Sequence, residues 1–363
     1  MNNCIGIINL DEDESKTKEL VKKRPLGAVP IGARYRIIDF ALSNMTNSGI
    51  ENIGIFSKSK CRALMDHLKN GKPWDLHRKR DGLRLFNFGY NDLAFEDVRN
   101  FAENIEFIKK CKKDYVIMTP SYMICNIDYN KVLEAHKKSG KDITVVYKHV
   151  DKTTEKFSSC DLLNINNGGK LVSVEKYIKT KESVNVSMEM YIMSTELFID
   201  IILKCIGTGL YRKVKEYIAS NLNSLEVGTY EFKGFLCCIN SLESYYRANI
   251  KLLDKKISKE LFNEERPIYT KVKDEGPTFY GEYSKVNNSI IANGCCIEGE
   301  VTNSVIGRRV IVEKGAKINN CVILQNTVIS RNSKLENIIV NKGTCILENK
   351  IYIGDRHKPK VLE

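Results

Sequence analysis

Twelve cysteines, five histidines and 57 lysines and arginines are the side chains whose chemistry is readable first in this 363-residue chain. Thiols can build a disulfide framework or hold zinc. Zinc calls for a C-x-x-C answered by a second one or by a histidine pair, whereas Cys237-Cys238 and Cys295-Cys296 are adjacent pairs, so no metal site is expected. A disulfide framework calls for a secretory leader. Met1-Asn2-Asn3-Cys4-Ile5-Gly6-Ile7-Ile8 has neither a basic start nor a long apolar stretch and turns acidic at Asp11, so reduced thiols and a cytoplasmic protein are expected. The cations outnumber 45 Asp and Glu, for a formal net charge of +12. Such a surface attracts nucleic acid, nucleotides or sugar phosphates. The basic residues form short groups (Lys22-Lys23-Arg24, Arg78-Lys79-Arg80, Lys109-Lys110, Lys112-Lys113, Lys255-Lys256) without the interleaved aromatics of a nucleic-acid groove. A nucleic-acid partner is therefore not expected, and much of the charge reads as solvated lysine.

The elements that must position these groups fall into two textures. With 42% hydrophobic and 28% charged residues the chain is an ordinary globular protein, neither disordered nor collagen-like, and its length suits two domains. No apolar run reaches 18 residues, so no membrane helix is expected. Strands predicted at Cys4–Leu10, Asn52–Phe56, Tyr115–Met118 and Ile143–Tyr147 alternate with helices predicted at Ile37–Ser48, Lys60–Lys69, Ile105–Lys112 and Tyr129–Ser139. That alternation predicts βαβ units and a mostly parallel sheet in an α/β domain over 1–265. From Val286 apolar groups recur about every six residues, as in Ser304-Val305-Ile306, Val310-Ile311-Val312, Cys321-Val322-Ile323 and Thr327-Val328-Ile329. This period predicts a parallel β-helix over 284–363, after a linker at 266–283 punctuated by Pro267, Gly276, Pro277 and Gly281.

Arg24-Pro25-Leu26-Gly27-Ala28-Val29-Pro30-Ile31-Gly32-Ala33-Arg34-Tyr35-Arg36-Ile37-Ile38-Asp39-Phe40-Ala41-Leu42-Ser43-Asn44, continued by Asn47-Ser48-Gly49-Ile50, strongly resembles the segment R-A-K-P-A-V-P-x-G-G-K-Y-R-I-I-D-F-x-L-S-N-x-x-N-S-G-I of bacterial ADP-glucose pyrophosphorylases. These are the glucose-1-phosphate adenylyltransferases of glycogen and starch synthesis. The resemblance runs on through Ser241-Leu242-Glu243-Ser244-Tyr245-Tyr246-Arg247-Ala248-Asn249 to Asn303-Ser304-Val305-Ile306 in the repeats. It implies a Rossmann-like nucleotidyltransferase domain, a left-handed β-helix and usually a tetramer. The family's reaction joins glucose 1-phosphate to ATP and releases pyrophosphate, with Mg²⁺ neutralising the phosphates.

That chemistry has requirements this sequence departs from. A triphosphate needs a glycine-rich turn whose backbone N–H groups approach the phosphates, and active relatives carry L-A-G-G-x-G-T-R-L after the first strand. Here stands Ile8-Asn9-Leu10-Asp11-Glu12-Asp13-Glu14-Ser15, with no glycine and four carboxylates that would repel ATP. The metal carboxylates of L-A-G-D-H-I-Y and G-Y-W-x-D-V-G-T fall on Tyr122 and Cys238, a phenol and a thiol that suit Mg²⁺ poorly. The base-adjacent G-T-A-D-A is matched only by Glu96-Asp97-Val98-Arg99-Asn100. The sugar-phosphate lysine of V-x-E-K-P is kept as Lys176 before Tyr177, and Ser187-Met188-Glu189-Met190-Tyr191 resembles S-M-G-I-Y with Glu189 in the glycine's place. Lys176 and Ser187 are thus the candidate sugar-phosphate residues. For an effector phosphate the resemblance marks Lys23, Arg24, Arg36 and Arg309, while Leu26 replaces a further lysine.

A kept scaffold with altered functional loops is similar to the GlgD-type subunit of Gram-positive bacteria, which occurs beside a catalytic partner. The expectation is a regulatory, catalytically deficient subunit in a hetero-tetramer, binding a sugar-phosphate effector, with Mg²⁺ held by the catalytic glucose-1-phosphate adenylyltransferase subunit and no cofactor in this chain. The alternative is an active adenylyltransferase with a divergent ATP loop. An acyltransferase working through the β-helix is disfavoured, since none of His67, His77, His136, His149 and His357 lies within the repeats.

Overall fold

Residues 2, 59, 79–80, 88–96, 152–156, 158–159 and 177–182 aside, the whole chain is described by a computed structural model. Asn2, Lys79, Arg80, Glu96 and Tyr177, all named above, lie outside the described residues. The chain divides into two compact units that interleave in sequence: Met1–Glu12, Phe40–Cys238 and Glu264–Tyr269 form one, and Asp13–Asp39, Ile239–Asn263 and Thr270–Glu363 the other.

The first unit is built on a nine-stranded mixed sheet. Gly82–Asn87, Asn52–Ser57, Cys4–Leu10 and Tyr115–Pro120 run parallel in that spatial order. Asn52–Ser57, Cys4–Leu10 and Tyr115–Pro120 are buried almost throughout, as a sheet covered on both faces requires, whereas the outer Gly82–Asn87 is largely half-buried or exposed. Beyond Tyr115–Pro120 the long strand Ser183–Ser194 turns antiparallel and pairs with Ile143–Asp151, which in turn pairs in parallel with Val227–Glu231. Asp161–Ile165 and Leu171–Lys176 complete the edge.

Helices cover the sheet and carry their own stop signals. Tyr129–Ser139 is capped by the Asp128 carboxylate on the Asn130 N–H and ends at Gly140 with φ +62°. Thr195–Thr208 is capped by Ser194 and ends at Gly209. Phe56, Phe101, Phe198, Val116 and Ile143 pack in the core beneath them.

In the second unit, three five-stranded parallel sheets wind into a left-handed β-helix. One position per strand points inward: Ile297, Val312 and Ile329 from one sheet, Val301, Ile318 and Leu335 from the next, Ile306, Ile323 and Val340 from the third, all essentially inaccessible. Asparagine and glycine hold most corners in left-handed backbone, as at Asn303, Asn320 and Asn337, where an L side chain other than Asn is strained. The first rung is Phe279–Tyr280, paired with Cys296–Ile297, so the coil starts within the stretch expected as a linker. Among the described residues no helix is long and apolar enough to cross a membrane.

Candidate functional site

Three groups of residues carry the chemistry named from the sequence. The first lies at the C-terminal end of Cys4–Leu10, where a nucleotide loop would begin. The acidic stretch there is not a bare row of negative charge. Asp11 is nearly buried and pairs with Lys213 at 2.6 Å and Lys58 at 3.4 Å. Glu12 turns inward and accepts hydrogen bonds from the Ser121 N–H at 2.9 Å and the Ser121 hydroxyl, while Lys58 donates to the Glu12 carbonyl. Asp13 accepts from the Ser15 N–H and Glu14 from the Leu26 N–H at 2.8 Å. Each carboxylate thus has an internal partner, and the Ser121 N–H is taken by a side chain of the protein itself.

Asp97, at the start of the helix Asp97–Glu103, is fully buried beside this group and accepts from the Val214 N–H and the Asn9 amide, both at 3.0 Å. Burial, reinforced by the nearby Asp11 charge, pushes its pKa up to about 8.

The second group forms around Tyr122 and Cys238, which the fold brings together. Met123–Ile124 and Cys237–Cys238 pair as a short antiparallel ribbon with Cys238 opposite Met123. Tyr122 hydrogen-bonds Glu189, and its phenol is raised well above its ordinary pKa by burial and then by the Glu189 charge. The Cys160 thiol lies 3.4 Å from Cys238 Sγ, and burial, with Cys160 next, pushes the Cys238 thiol up likewise. Neutral phenol and thiol at these positions do not fit Mg²⁺, which takes hard oxygen anions. Among the described residues no group of three or more His, Cys, Asp or Glu could hold a metal.

Lys176 and Ser187 border the same group. The Lys176 ammonium sits 2.5 Å from Asp161, directly across the strand pair. Ser187 is buried, and its hydroxyl accepts from the Glu189 N–H at 3.1 Å. Glu189 itself has φ +52°, a conformation that suits the glycine of the similar motif and costs other residues about 1–2 kcal/mol. Lys215 joins Glu189 at 2.6 Å and Asp161 at 3.2 Å. Burial works to lower the Lys215 pKa, but the two carboxylates outweigh it and hold the ammonium above its usual range. Asp161 is held below the usual carboxylate range by Lys215 and Lys176 against its own burial.

The third group lies in the second unit, and its four named cations have different partners. Arg24 is buried, donating to the Leu20 carbonyl at 2.9 Å and the Asn341 amide oxygen at 2.8 Å, so it ties the structure together. Arg36 donates to the Ala28 carbonyl. Lys23 is exposed. Arg309 is half-exposed, stands at a coil corner with φ +54°, and pairs with Glu275 at 3.4 Å.

Sequence reasoning missed Arg308, 3.9 Å from Glu275, and Lys273. Burial, followed by Arg308 as the leading charge, depresses the Lys273 pKa. Burial also depresses the Arg308 pKa, against the pull of Glu275. The Arg308-Arg309 dipeptide was the only available signal. Lys215 and Asp161 carried none, because their meaning comes from Glu189.

Comparison with known proteins places this geometry in context. A family described as nucleotidyl transferase matches residues 16–217, and one described as GlmU-like, C-terminal hexapeptide matches residues 278–359. The chain is 35% identical to the glycogen biosynthesis protein GlgD of Bacillus subtilis (strain 168), covering 87% of this chain and 83% of the relative. It is 36% identical to GlgD of Geobacillus stearothermophilus over the same shares. It is also 31% identical to the glucose-1-phosphate adenylyltransferase of Clostridium novyi (strain NT), covering 80% of this chain and 78% of the relative.

Proposed function

The chain belongs to the ADP-glucose pyrophosphorylase family of nucleotidyl transferases, and we propose that within it this protein is a regulatory, catalytically deficient subunit. A role in glycogen biosynthesis is supported by its relatives of both names. The observation that carries the finer reading is the pair Tyr122 and Cys238, the first just before the strand Met123–Ile124 and the second in the strand paired with it, each held protonated by burial. Where the family's chemistry needs two carboxylates for a divalent ion, this chain offers a phenol and a thiol.

The loop adds to the deficit. Transferring an adenylyl group needs donors aimed at the charge that develops on the phosphates. Here the Ser121 N–H is bonded to Glu12, and Lys58 and Lys213 are both paired with Asp11. What remains is suited to assembly and sensing. The protein would join a catalytic glucose-1-phosphate adenylyltransferase subunit in a cytoplasmic hetero-tetramer, with that subunit supplying the Mg²⁺ site. A sugar-phosphate effector would be met by Arg309, joined by Arg308 and Lys273 around Glu275, with the exposed Lys23 a separate candidate. Arg24 and Arg36 are engaged with Asn341 and the Ala28 carbonyl and act as structural supports.

Pyrophosphorolysis of ADP-glucose tests the reading. The purified chain alone, at saturating Mg²⁺, is expected to show no turnover above background. Mixing it with the catalytic subunit is expected to change that subunit's rate or its response to sugar phosphates. Robust turnover by the chain alone would mean an active adenylyltransferase with a divergent loop.

A further inference from the structure

Glu189 stands at an irregularity of the sheet ladder, a bulge whose backbone enters the left-handed region. The ladder between Ser183–Ser194 and Ile143–Asp151 runs Ser187 opposite Tyr147 and then Met190 opposite Val146, leaving Met188 and Glu189 as an inserted bulge. Within that bulge Glu189 adopts φ +52°, strained for any side chain of its bulk. A strained residue persists only where its surroundings hold it, and such residues cluster at functional sites. What holds this one is polar: the Ser187 hydroxyl on its N–H, the Tyr122 hydroxyl, and Lys215 on its carboxylate at 2.6 Å, with the Glu189 side chain only 15% exposed.

The bulge therefore aims a carboxylate at a partly buried lysine. Among the described residues Lys215 and Lys176 pair with Glu189 and Asp161, so these four charges cancel within the protein. Without Glu189, Lys215 would be left partly buried with half its counter-charge, which is costly unless another anion arrives.

We propose that Glu189 is a built-in anionic gate, its carboxylate occupying the place beside Lys215 that a phosphate group would otherwise take. The inference rests on the regulatory-subunit reading only for locating the site. It assigns this group a different role from a decayed sugar-phosphate pocket: the ligand's charge is supplied from within, so the site stays ordered while empty of phosphate.

Calorimetric titration with inorganic phosphate tests the gate. Glu189→Gly, which also relieves the backbone, is expected to bind phosphate at least about tenfold more tightly than the parent protein. Glu189→Gln, which keeps the bulk and removes the charge, is expected to gain in the same direction. Adding Lys215→Ala to either variant is expected to abolish the gain. The proposal is overturned if the parent already binds phosphate in a Lys215-dependent way as tightly as the variants. It is equally overturned if variants folded by circular dichroism show no gain, or a gain that survives Lys215→Ala. Because the readout is binding, turnover of ADP-glucose by the parent would overturn the regulatory-subunit reading and leave the gate standing, whereas absence of the gain would do the reverse.

Discussion

Asp97 shows how much of this site is decided by desolvation. Its carboxyl is sealed among the Val214 N–H, the Asn9 amide, Asp11 and Lys213, and its pKa rises to about 8 from an ordinary value of 3.8. The folded protein thus retains a proton that the unfolded chain loses above pH 4, and linkage makes this group's contribution to stability fall as pH rises between about 4 and 8. Asp97→Asn is expected to remove that fall while keeping an acceptor for the Val214 N–H. Urea unfolding across the same pH range checks it: identical slopes for parent and variant would mean that Asp97 is already ionised when folded. Burial of this kind has no signature in a linear sequence, where Asp97 reads only as part of a poorly matched segment. Glu189 was similarly opaque. Read alone it is a lost glycine, and its purpose emerges only beside Lys215, 26 residues away on another element.

Among the elements, the β-helix was the most legible, because each coil repeats one physical demand: an apolar side chain every six residues to fill a narrow interior. Its first rung escaped notice since Pro277 and Gly281 flank Phe279–Tyr280 and read as punctuation. The parallel core of the sheet was legible for a similar reason, whereas the antiparallel Ser183–Ser194 strand carries a bulge that breaks the alternation. Corner chemistry leads to a prediction. Gly294, Arg309, Asn326 and Gly343 occupy equivalent corners with positive φ, and Arg309 is the misfit among them. Because asparagine tolerates this backbone better than arginine, Arg309→Asn is expected to raise stability by up to about 1 kcal/mol. Denaturant midpoints measure this directly. A lowered midpoint would show that the ion pair with Glu275 outweighs the strain. If stability does rise, the native arginine is held there for something other than folding, which is what an effector ligand requires.

For the whole molecule the question is where a net charge of +12 acts. Much of it is already answered within the chain: Lys58 and Lys213 by Asp11, Lys215 by Glu189, and Lys285 and Lys317 by Glu300 along one face of the coil. The cations around Glu275 are more crowded: Arg308, Arg309 and Lys273 gather about that carboxylate, with Asp39 also acting on Arg308, and burial shifts Arg308 and Lys273 toward losing their protons. An arriving phosphate would relieve that crowding, so the effector and the assembly should be separable experimentally. With the catalytic subunit held constant and this chain added in steps, activity is expected to change and then saturate at a fixed ratio, as a defined hetero-oligomer demands. Light scattering of the mixture should give one mass at that ratio. Arg309→Asn should saturate at the same ratio yet lose most of the response to a sugar bisphosphate. A shifted ratio would place Arg309 in assembly instead, and no saturation at all would mean that the chain does not act through a partner.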